Sequence, residues 1–190
     1  MARMTNIRKV EFDLSFVKKE HWEAMAALKQ LDCLHFTYCT FTENPPDQEL
    51  SVRAVTFFSC SPTPFTLWPI ATSTLRTLET TDLEAVQKLV TVRQLAIKNL
   101  VLRYIHFEMN MLLQVFEQLP DLESVTIWFK AKSAASPLIS GLLLKKLFTR
   151  LRSFTAHAME DIPQHFTAKV CLMSSIPPSQ LIVTVVIRYM

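Results

Sequence analysis

A spaced pattern of large apolar residues, found twice in the first third of the chain, constrains this sequence more than any other feature. Residues 31–41 read LDCLHFTYCTF, with large apolar residues at the first, fourth and sixth positions and a cysteine at the ninth. Residues 52–60 read VRAVTFFSC and reproduce the first nine positions 21 residues later. Recurrence at a period of roughly 20 to 29 residues indicates an architecture of stacked repeats.

The same spacing returns along nearly the whole chain and defines a series of candidate repeats. Their first residues are Ile7, Leu31, Val52, Leu75, Val92, Leu122, Leu151 and Ile182. Successive starts lie 17 to 31 residues apart, so the register is irregular for leucine-rich repeats. It is ambiguous at one place, because Leu102, Ile105 and Phe107, followed by Asn110, also fit the pattern and compete with the start at Val92.

This pattern predicts an α/β fold of a particular kind. We expect a leucine-rich repeat solenoid, in which a curved parallel sheet has helices and irregular segments on its convex side. One domain would span residues 1–190. The alternative is a compact α/β domain with several short strands, because alternating apolar residues by themselves indicate only half-buried strands.

Helical periodicity in the connections supports the repeats, since each repeat must return the chain to the start of the next parallel strand. The pattern predicts helices within residues 17–30, after the capping sequence TDLE at 81–84, between Asn110 and Pro120, and near 137–150. The proline-rich segments 43–47 and 62–69 predict extended or turn-like returns instead.

Composition excludes several classes of function. The chain is 49% hydrophobic and can bury a core without disulfides or metal. Its net charge is +3, without a long basic run or interleaved aromatic residues, so we expect no nucleic-acid partner. With a single glycine, Gly141, neither a phosphate-binding loop nor the GxSxG motif can be written. We therefore expect no cofactor and no enzymatic activity.

Targeting and membrane signals are not evident either. The first six residues run into an alternating strand, unlike a signal or transit peptide. The apolar run at 181–187 is strand-sized, too short to span a bilayer. The sequence also lacks the Asn-x-Ser/Thr glycosylation signal. These features predict a cytoplasmic or nuclear protein with no membrane contact.

Cys39 and Cys60 occupy equivalent repeat positions and would lie about one strand spacing apart, on the order of 5 Å. A disulfide is geometrically conceivable. However, this repeat position faces inward and accepts Asn or Cys to satisfy the turn after the strand, and a cytosolic address keeps thiols reduced. We therefore interpret both cysteines as packing residues.

Two further clusters define the enzymatic alternative. His106 and Glu108 match the HxE fragment of zinc deaminases, but the accompanying PCxxC is missing. Glu160 and Asp161 are adjacent carboxylates, for which a solvated turn is a simpler interpretation than paired acid/base catalysis. The remaining histidines and cysteines have no metal-ligand spacing. We therefore predict neither a catalytic nor a metal site.

The repeat register itself predicts a binding surface. Residues between the inward apolar positions point to the opposite, concave face of the sheet. Phe58 and Trp128 are large aromatic residues on a face that should be polar, where such residues either form interface hot spots or pack under a loop or a neighbouring segment. The predicted partner-binding residues are Phe58, Lys98, Trp128, His157 and Arg188. If the register at Leu102 holds instead, His106 and Glu108 replace Ala96 and Lys98 on this face.

The LxxLxLxxC pattern, the irregular repeat lengths and strand openings such as LRTL at 75–78 and LESV at 122–125 resemble the leucine-rich repeat region of F-box proteins, above all the divergent fungal type. In that family the repeats capture a substrate, while a separate N-terminal F-box docks a cullin-RING ubiquitin ligase. The resemblance implies a non-enzymatic module that recruits a protein partner. Because the N-terminus enters a strand almost at once, we expect ligase subunits as partners only where an F-box is supplied elsewhere.

Overall fold

The computed structural model describes residues 6–43, 49–61, 73–105, 109–130, 151–159 and 182–188. The strands in these ranges are β1 (Lys9–Asp13), β2 (Phe16–Val17), β3 (Cys33–Thr37), β4 (Thr40–Phe41), β5 (Ala54–Phe58), β6 (Thr77–Thr80), β7 (Asn99–Ile105), β8 (Ser124–Lys130), β9 (Ser153–Met159) and β10 (Ile182–Arg188). The helices are α1 (Lys19–Ala26), α2 (Leu83–Val92) and α3 (Met109–Glu117).

Eight of these strands form one sheet, in the order β1-β3-β5-β6-β7-β8-β9-β10. Every neighbouring pair in this sheet is parallel. The spatial order therefore follows the order of the chain, and the sheet is open, with β1 and β10 at its edges. Strands β2 and β4 form a separate parallel pair. The predicted α/β class with a parallel sheet is confirmed, but the sheet is not curled, so the finer prediction of a curved solenoid is not.

The pairing register shows which apolar residues are equivalent. Leu34 pairs with Val55, Val55 with Leu78, Leu78 with Leu100, and Leu100 with Val125. All five side chains are buried, with at most 1% exposed. A slip of one residue would turn every side chain of a strand to the other face of the sheet. This buried row therefore fixes the register of the central strands.

The fifth repeat begins at Ile97, and both starts predicted for it are wrong. Val92 is the last residue of α2 and is 75% exposed. Leu102 pairs with Thr80, which is the sixth position of its repeat rather than the first. The observed triplet is Ile97, Leu100 and Leu102, all 0% exposed. Apolar residues recur so densely between 92 and 107 that three registers fit the spacing, and only pairing with β6 distinguishes them.

The predicted register of the last repeat is shifted by two residues. Val183 pairs with Phe154, and Val185 pairs with Ala156. Ile182 consequently lies within β10 and does not begin the repeat. An alternating sequence cannot distinguish two registers that differ by two residues, because both place the same residues on the same face.

Three of the four predicted helices are observed, and their buried residues share one core cluster with the inward strand residues. The cap of α2 is Asp82 rather than Thr81, because the Asp82 carboxylate accepts the Ala85 N–H at 2.9 Å. Helix α3 ends before Pro120, as predicted. The fourth predicted helix, near 137–150, and the proline-rich returns at 44–47 and 62–69 lie outside the described residues.

A stack of phenylalanine rings marks the sixth repeat position in the core. The ring centroids of Phe12 and Phe36 lie 5.4 Å apart, and those of Phe36 and Phe57 lie 5.5 Å apart, with nearly parallel planes. These distances are close to the spacing of neighbouring strands. In the next repeat Thr80 takes this buried position, and its hydroxyl accepts the N–H of Asp82 at 3.0 Å. A polar residue is tolerated there because its hydroxyl is hydrogen-bonded.

The two cysteines have the turn-satisfying role that the sequence predicts. Cys39 is buried, and its Sγ donates to the carbonyls of Phe12 and Thr37, both at 3.4 Å. Cys60 repeats the arrangement one repeat later by donating to the Phe36 carbonyl at 3.4 Å. Both thiols are free, and each links the end of its own strand to the strand before it.

Candidate interaction face

The face of the sheet opposite the three helices is the candidate site, and we call it the open face. Its residues alternate with the buried ones, and in β3 and β5 they are half-buried. None of the described helices packs on it. Its central row, defined by strand pairing, is Glu11, His35, Thr56, Glu79, Val101, Thr126 and Thr155. Nearer the C-terminal ends of the strands lie Asp13, Thr37 and Phe58, which pair with one another, and Arg103 and Trp128, which are in contact.

Arg103 of β7 connects neighbouring strands on this face. Its Nε–H donates to the Glu79 carboxylate of β6, and its guanidinium carbon lies 5.2 Å from the ring centroid of Trp128 in β8. Thr56 of β5 donates its hydroxyl to the other carboxylate oxygen of Glu79, at 3.3 Å. The side chains of Arg103 and Glu79 are 33% and 20% exposed. Contacts from both sides therefore hold Arg103 while its guanidinium remains accessible.

This arrangement can bind a ligand without prior ordering of the side chains. A guanidinium next to an indole ring gains a cation–π attraction, and the planar group keeps further N–H donors for an incoming acceptor. The salt bridge to Glu79 cancels much of the charge of Arg103, so the site suits a neutral or weakly acidic acceptor beside an apolar group. Fixed side chains on central strands lower the conformational entropy cost of association.

A second aromatic pair lies at the C-terminal ends of β3 and β5. The rings of Tyr38 and Phe58 meet edge to face, with centroids 5.5 Å apart and an interplanar angle of 88°. Tyr38 is 53% exposed, and its main-chain N–H donates to the carbonyl of Phe58 at 2.8 Å. The sequence predicted Phe58 but missed Tyr38, because Tyr38 belongs to the turn after the strand rather than to the alternating face.

The structure places Phe58 and Trp128 on the open face, as predicted, but it places Lys98 elsewhere. Lys98 lies just before β7, at the N-terminal end of the sheet, and its Nζ lies 2.6 Å from Glu123. Arg103 occupies the position assigned to Lys98, since the fifth repeat begins five residues later than the sequence register implied. The wrong register is also the reason that the sequence missed Arg103.

For His157 and Arg188 the structure describes the main chain. His157 pairs with Trp128 and therefore continues the row of Trp128 into β9. Arg188 pairs with Met159, whereas Val186 pairs with His157. Arg188 is therefore two residues beyond this row, which follows from the shifted register of β10.

The residues of the enzymatic alternative, His106, Glu108, Glu160 and Asp161, lie outside the described residues. Within the described ranges, no group of three His, Cys, Asp or Glu side chains could hold a metal ion.

At the end of the open face formed by β1 and β3, the pKa values of His35 and Glu11 are both lowered. Burial lowers the pKa of His35 below its ordinary value, and the charge of Lys9 lowers it further, while Glu11 and Glu79 oppose the shift. A hydrogen bond and the charge of Lys9 lower the pKa of Glu11. Neutral pH therefore leaves an uncharged imidazole beside an ion pair.

Comparison with family models, curated proteins and solved structures finds no match to this chain. The residues of the open face and the repeat pattern are therefore the basis for proposing a function. In the part of the chain that the structure describes, no helix is long and apolar enough to cross a membrane.

Proposed function

We propose that this chain is a protein-recognition module of the leucine-rich repeat type, which binds a protein partner on the open face. Parallel strands whose spatial order follows the chain support the repeat interpretation, because each unit then packs only on its neighbours. The equivalent roles of Cys39 and Cys60 in successive turns support it independently. In this proposal the open face has the binding role that the concave surface has in leucine-rich repeat solenoids.

The observation that carries this proposal is the position of Arg103 between Glu79 and Trp128. Arginine and tryptophan are the residue types most enriched in interface hot spots, where a few side chains supply most of the binding energy. Here they lie on adjacent central strands of a face on which no described helix packs. Phe58 and Tyr38 provide a further apolar contact on the same side of the sheet.

We also propose that the partner is a substrate presented to a cullin-RING ubiquitin ligase, with the F-box supplied elsewhere. The resemblance of the repeats to those of F-box proteins supports this assignment. A cytoplasmic or nuclear location, where such ligases work, is part of the same proposal.

Affinity capture from a cell extract, followed by mass spectrometry, tests the proposal. The bait would be the whole chain as wild type, Arg103→Ala, Trp128→Ala or Lys88→Ala. Lys88 is a matched control because it is exposed on α2, on the other side of the sheet. We expect proteins captured by the wild type and by Lys88→Ala to be lost from both open-face variants. Ligase subunits that all four baits retain would support the ubiquitin assignment, because an F-box supplied elsewhere docks them independently of the open face.

Thermal unfolding of each bait keeps this experiment interpretable. The open-face variants should melt close to the wild type, because the changed side chains lie outside the buried core. If all four baits capture the same proteins, the open face is not the binding surface. If Trp128→Ala unfolds, the ring of Trp128 has a structural role instead.

A further inference from the structure

A row of charged residues runs across the sheet at the N-terminal ends of the strands. Phe58 and Trp128 lie toward the opposite, C-terminal ends. After the first residue, each residue of this row donates its main-chain N–H to the carbonyl of the residue before it in the row, at 2.7 to 2.8 Å. Neighbouring members are therefore about one strand spacing apart, roughly 4.8 Å. The members of this charge ladder are Arg8, Asp32, Arg53, Arg76, Lys98, Glu123 and Arg152.

The charge ladder contains five cations and two anions. Its formal net charge therefore equals that of the whole chain, which is +3. The rest of the chain is formally balanced. Composition alone indicates a weakly basic surface. In the fold, residues that carry this excess positive charge lie in one row across the sheet.

Ion pairs occupy both carboxylates of the charge ladder. Arg53 binds Asp32 through two hydrogen bonds, at 2.9 and 2.7 Å. Glu123 accepts from Lys98 at 2.6 Å and lies 3.5 Å from Arg152. Hydrogen bonds from Arg53 and Lys98 lower the pKa values of Asp32 and Glu123, respectively. Each carboxylate therefore marks one boundary of the cationic segment between them.

That segment is Arg53, Arg76 and Lys98, three cations in consecutive positions. The Arg76 guanidinium donates to the carbonyls of Leu75 and Ala96, at 3.3 and 3.4 Å, and the structure pairs it with no carboxylate of the described residues. Its two neighbours along the charge ladder differ, because Asp32 binds Arg53 and Glu123 binds Lys98. An external carboxylate over Arg76 would supply the partner that the described residues do not provide.

We propose that Arg53, Arg76 and Lys98 form a docking surface for an acidic segment of a protein partner. The three cations span roughly 10 Å, and side chains on one side of an extended peptide repeat every 6.6 to 6.8 Å or so. Two or three carboxylates of an extended acidic peptide match this length. Asp32 and Glu123 interrupt the row of cations on either side of this segment, so its length matches a short acidic segment better than a long nucleic-acid strand.

Fluorescence anisotropy with labelled hexaglutamate, using the whole chain, tests this proposal. We expect the wild type to bind at about 50 mM salt and to lose binding near 500 mM, because exposed charges are screened. Arg76→Gln should weaken binding by about fivefold, the size of one surface charge contact. The matched control Lys88→Gln removes an exposed cation from α2 and should bind like the wild type.

Trp128→Ala separates this surface from the proposed function, because it changes the open face and should leave hexaglutamate binding unchanged. The proposal is overturned if the wild type does not bind the peptide at low salt, or if Arg76→Gln binds as tightly as the wild type at an unchanged melting temperature. Tighter binding of a labelled oligothymidylate than of hexaglutamate would overturn it in favour of a nucleic-acid surface.

Discussion

Three residues other than glycine hold a left-handed backbone conformation at the same position of successive repeats. Leu14, Tyr38 and Ser59 directly follow β1, β3 and β5, with φ values of 49°, 52° and 51°. This conformation costs a non-glycine residue about 1–2 kcal/mol. Main-chain hydrogen bonds to the next strand, such as Leu14 N–H to the Thr37 carbonyl at 2.9 Å, hold the turn in place. Stacking of the repeats, rather than local preference, therefore specifies these turns.

Ser59→Gly should stabilise the protein. Removing the β-carbon relieves the left-handed strain, and the gain exceeds the entropy that glycine adds to the unfolded chain, leaving a net of about 0.5 kcal/mol. Ser51→Gly is the matched control, because Ser51 is exposed and has negative φ, and it should destabilise by about 0.5 kcal/mol. Urea unfolding measures both. Equal effects of the two substitutions would mean that the turn at Ser59 is unstrained.

The thiol of Cys60 predicts a decline in stability at alkaline pH. Burial raises the pKa of Cys60 from its ordinary value of 9.0 to about 11. The unfolded chain loses this proton first, so the stabilising contribution is complete below pH 9.0 and is lost as pH rises toward about 11. Because tyrosine and lysine also titrate there, the measurement is the difference in unfolding free energy between wild type and Cys60→Ala. That difference should shrink from pH 8 to pH 11, roughly following the thiol titration; a constant difference would contradict the assignment.

At the scale of elements, the stacked phenylalanines tie the first three repeats together. Phe36 contacts Phe12 on one side and Phe57 on the other, and Trp22 of α1 lies against it, with ring centroids 5.6 Å apart. One ring therefore contributes to strand stacking and to docking of a helix.

Phe36→Ala should cost about 3–5 kcal/mol of unfolding free energy, because the cavity lies where three elements meet and cannot collapse easily. Phe16→Ala is the matched control, since Phe16 is 66% exposed, and it should change stability by less than about 0.5 kcal/mol. Chemical denaturation measures the contrast. A loss at Phe36 no larger than that at Phe16 would show that the stack is not part of the stable core.

Removing the N-terminal cap of α2 should destabilise the protein less than Phe36→Ala does. Asp82→Ala removes the carboxylate that accepts the Ala85 N–H and should cost about 1 kcal/mol. Asp121→Ala, at an exposed position outside any helix, should cost much less. If the two variants melt at the same temperature, the cap does not stabilise α2.

The sequence predicts an element well where its motif occurs once between clear turns. The repeats that begin at Leu31 and Val52 lie in the predicted register, because each large apolar residue has one possible assignment. The prediction is wrong for the fifth repeat because a short connection places apolar residues of α2 and β7 within a few positions of each other. Arg103 could not be identified from the sequence, since its contact with Trp128 depends on a pairing register that the spacing leaves open.

At the scale of the whole molecule, the chain adds strands in order, so that each inner strand has a neighbour on both sides and β1 has only β3. Opening an inner strand of this sheet therefore breaks two strand interfaces, whereas opening β1 breaks one. The ends should therefore open more readily than the centre.

Hydrogen exchange followed by mass spectrometry should reveal this gradient. We expect amides of β1 to exchange at least about tenfold faster than those of β6 and β7, because local opening of an edge unit breaks one interface rather than two. The comparison concerns amides that are hydrogen-bonded within the sheet in both regions. Uniform protection from β1 to β7 would indicate a single cooperative unit instead.

The two edge strands of the described sheet differ in their content of charged residues. The two edges should therefore differ in their tendency to pair with another copy of the chain. In β1 three of the five residues, Lys9, Glu11 and Asp13, are charged, whereas in β10 only Arg188 of seven is. Charged residues on an edge discourage the addition of a further strand, while apolar β-branched residues favour it. Among the described strands, crowded copies should therefore associate through β10 more readily than through β1.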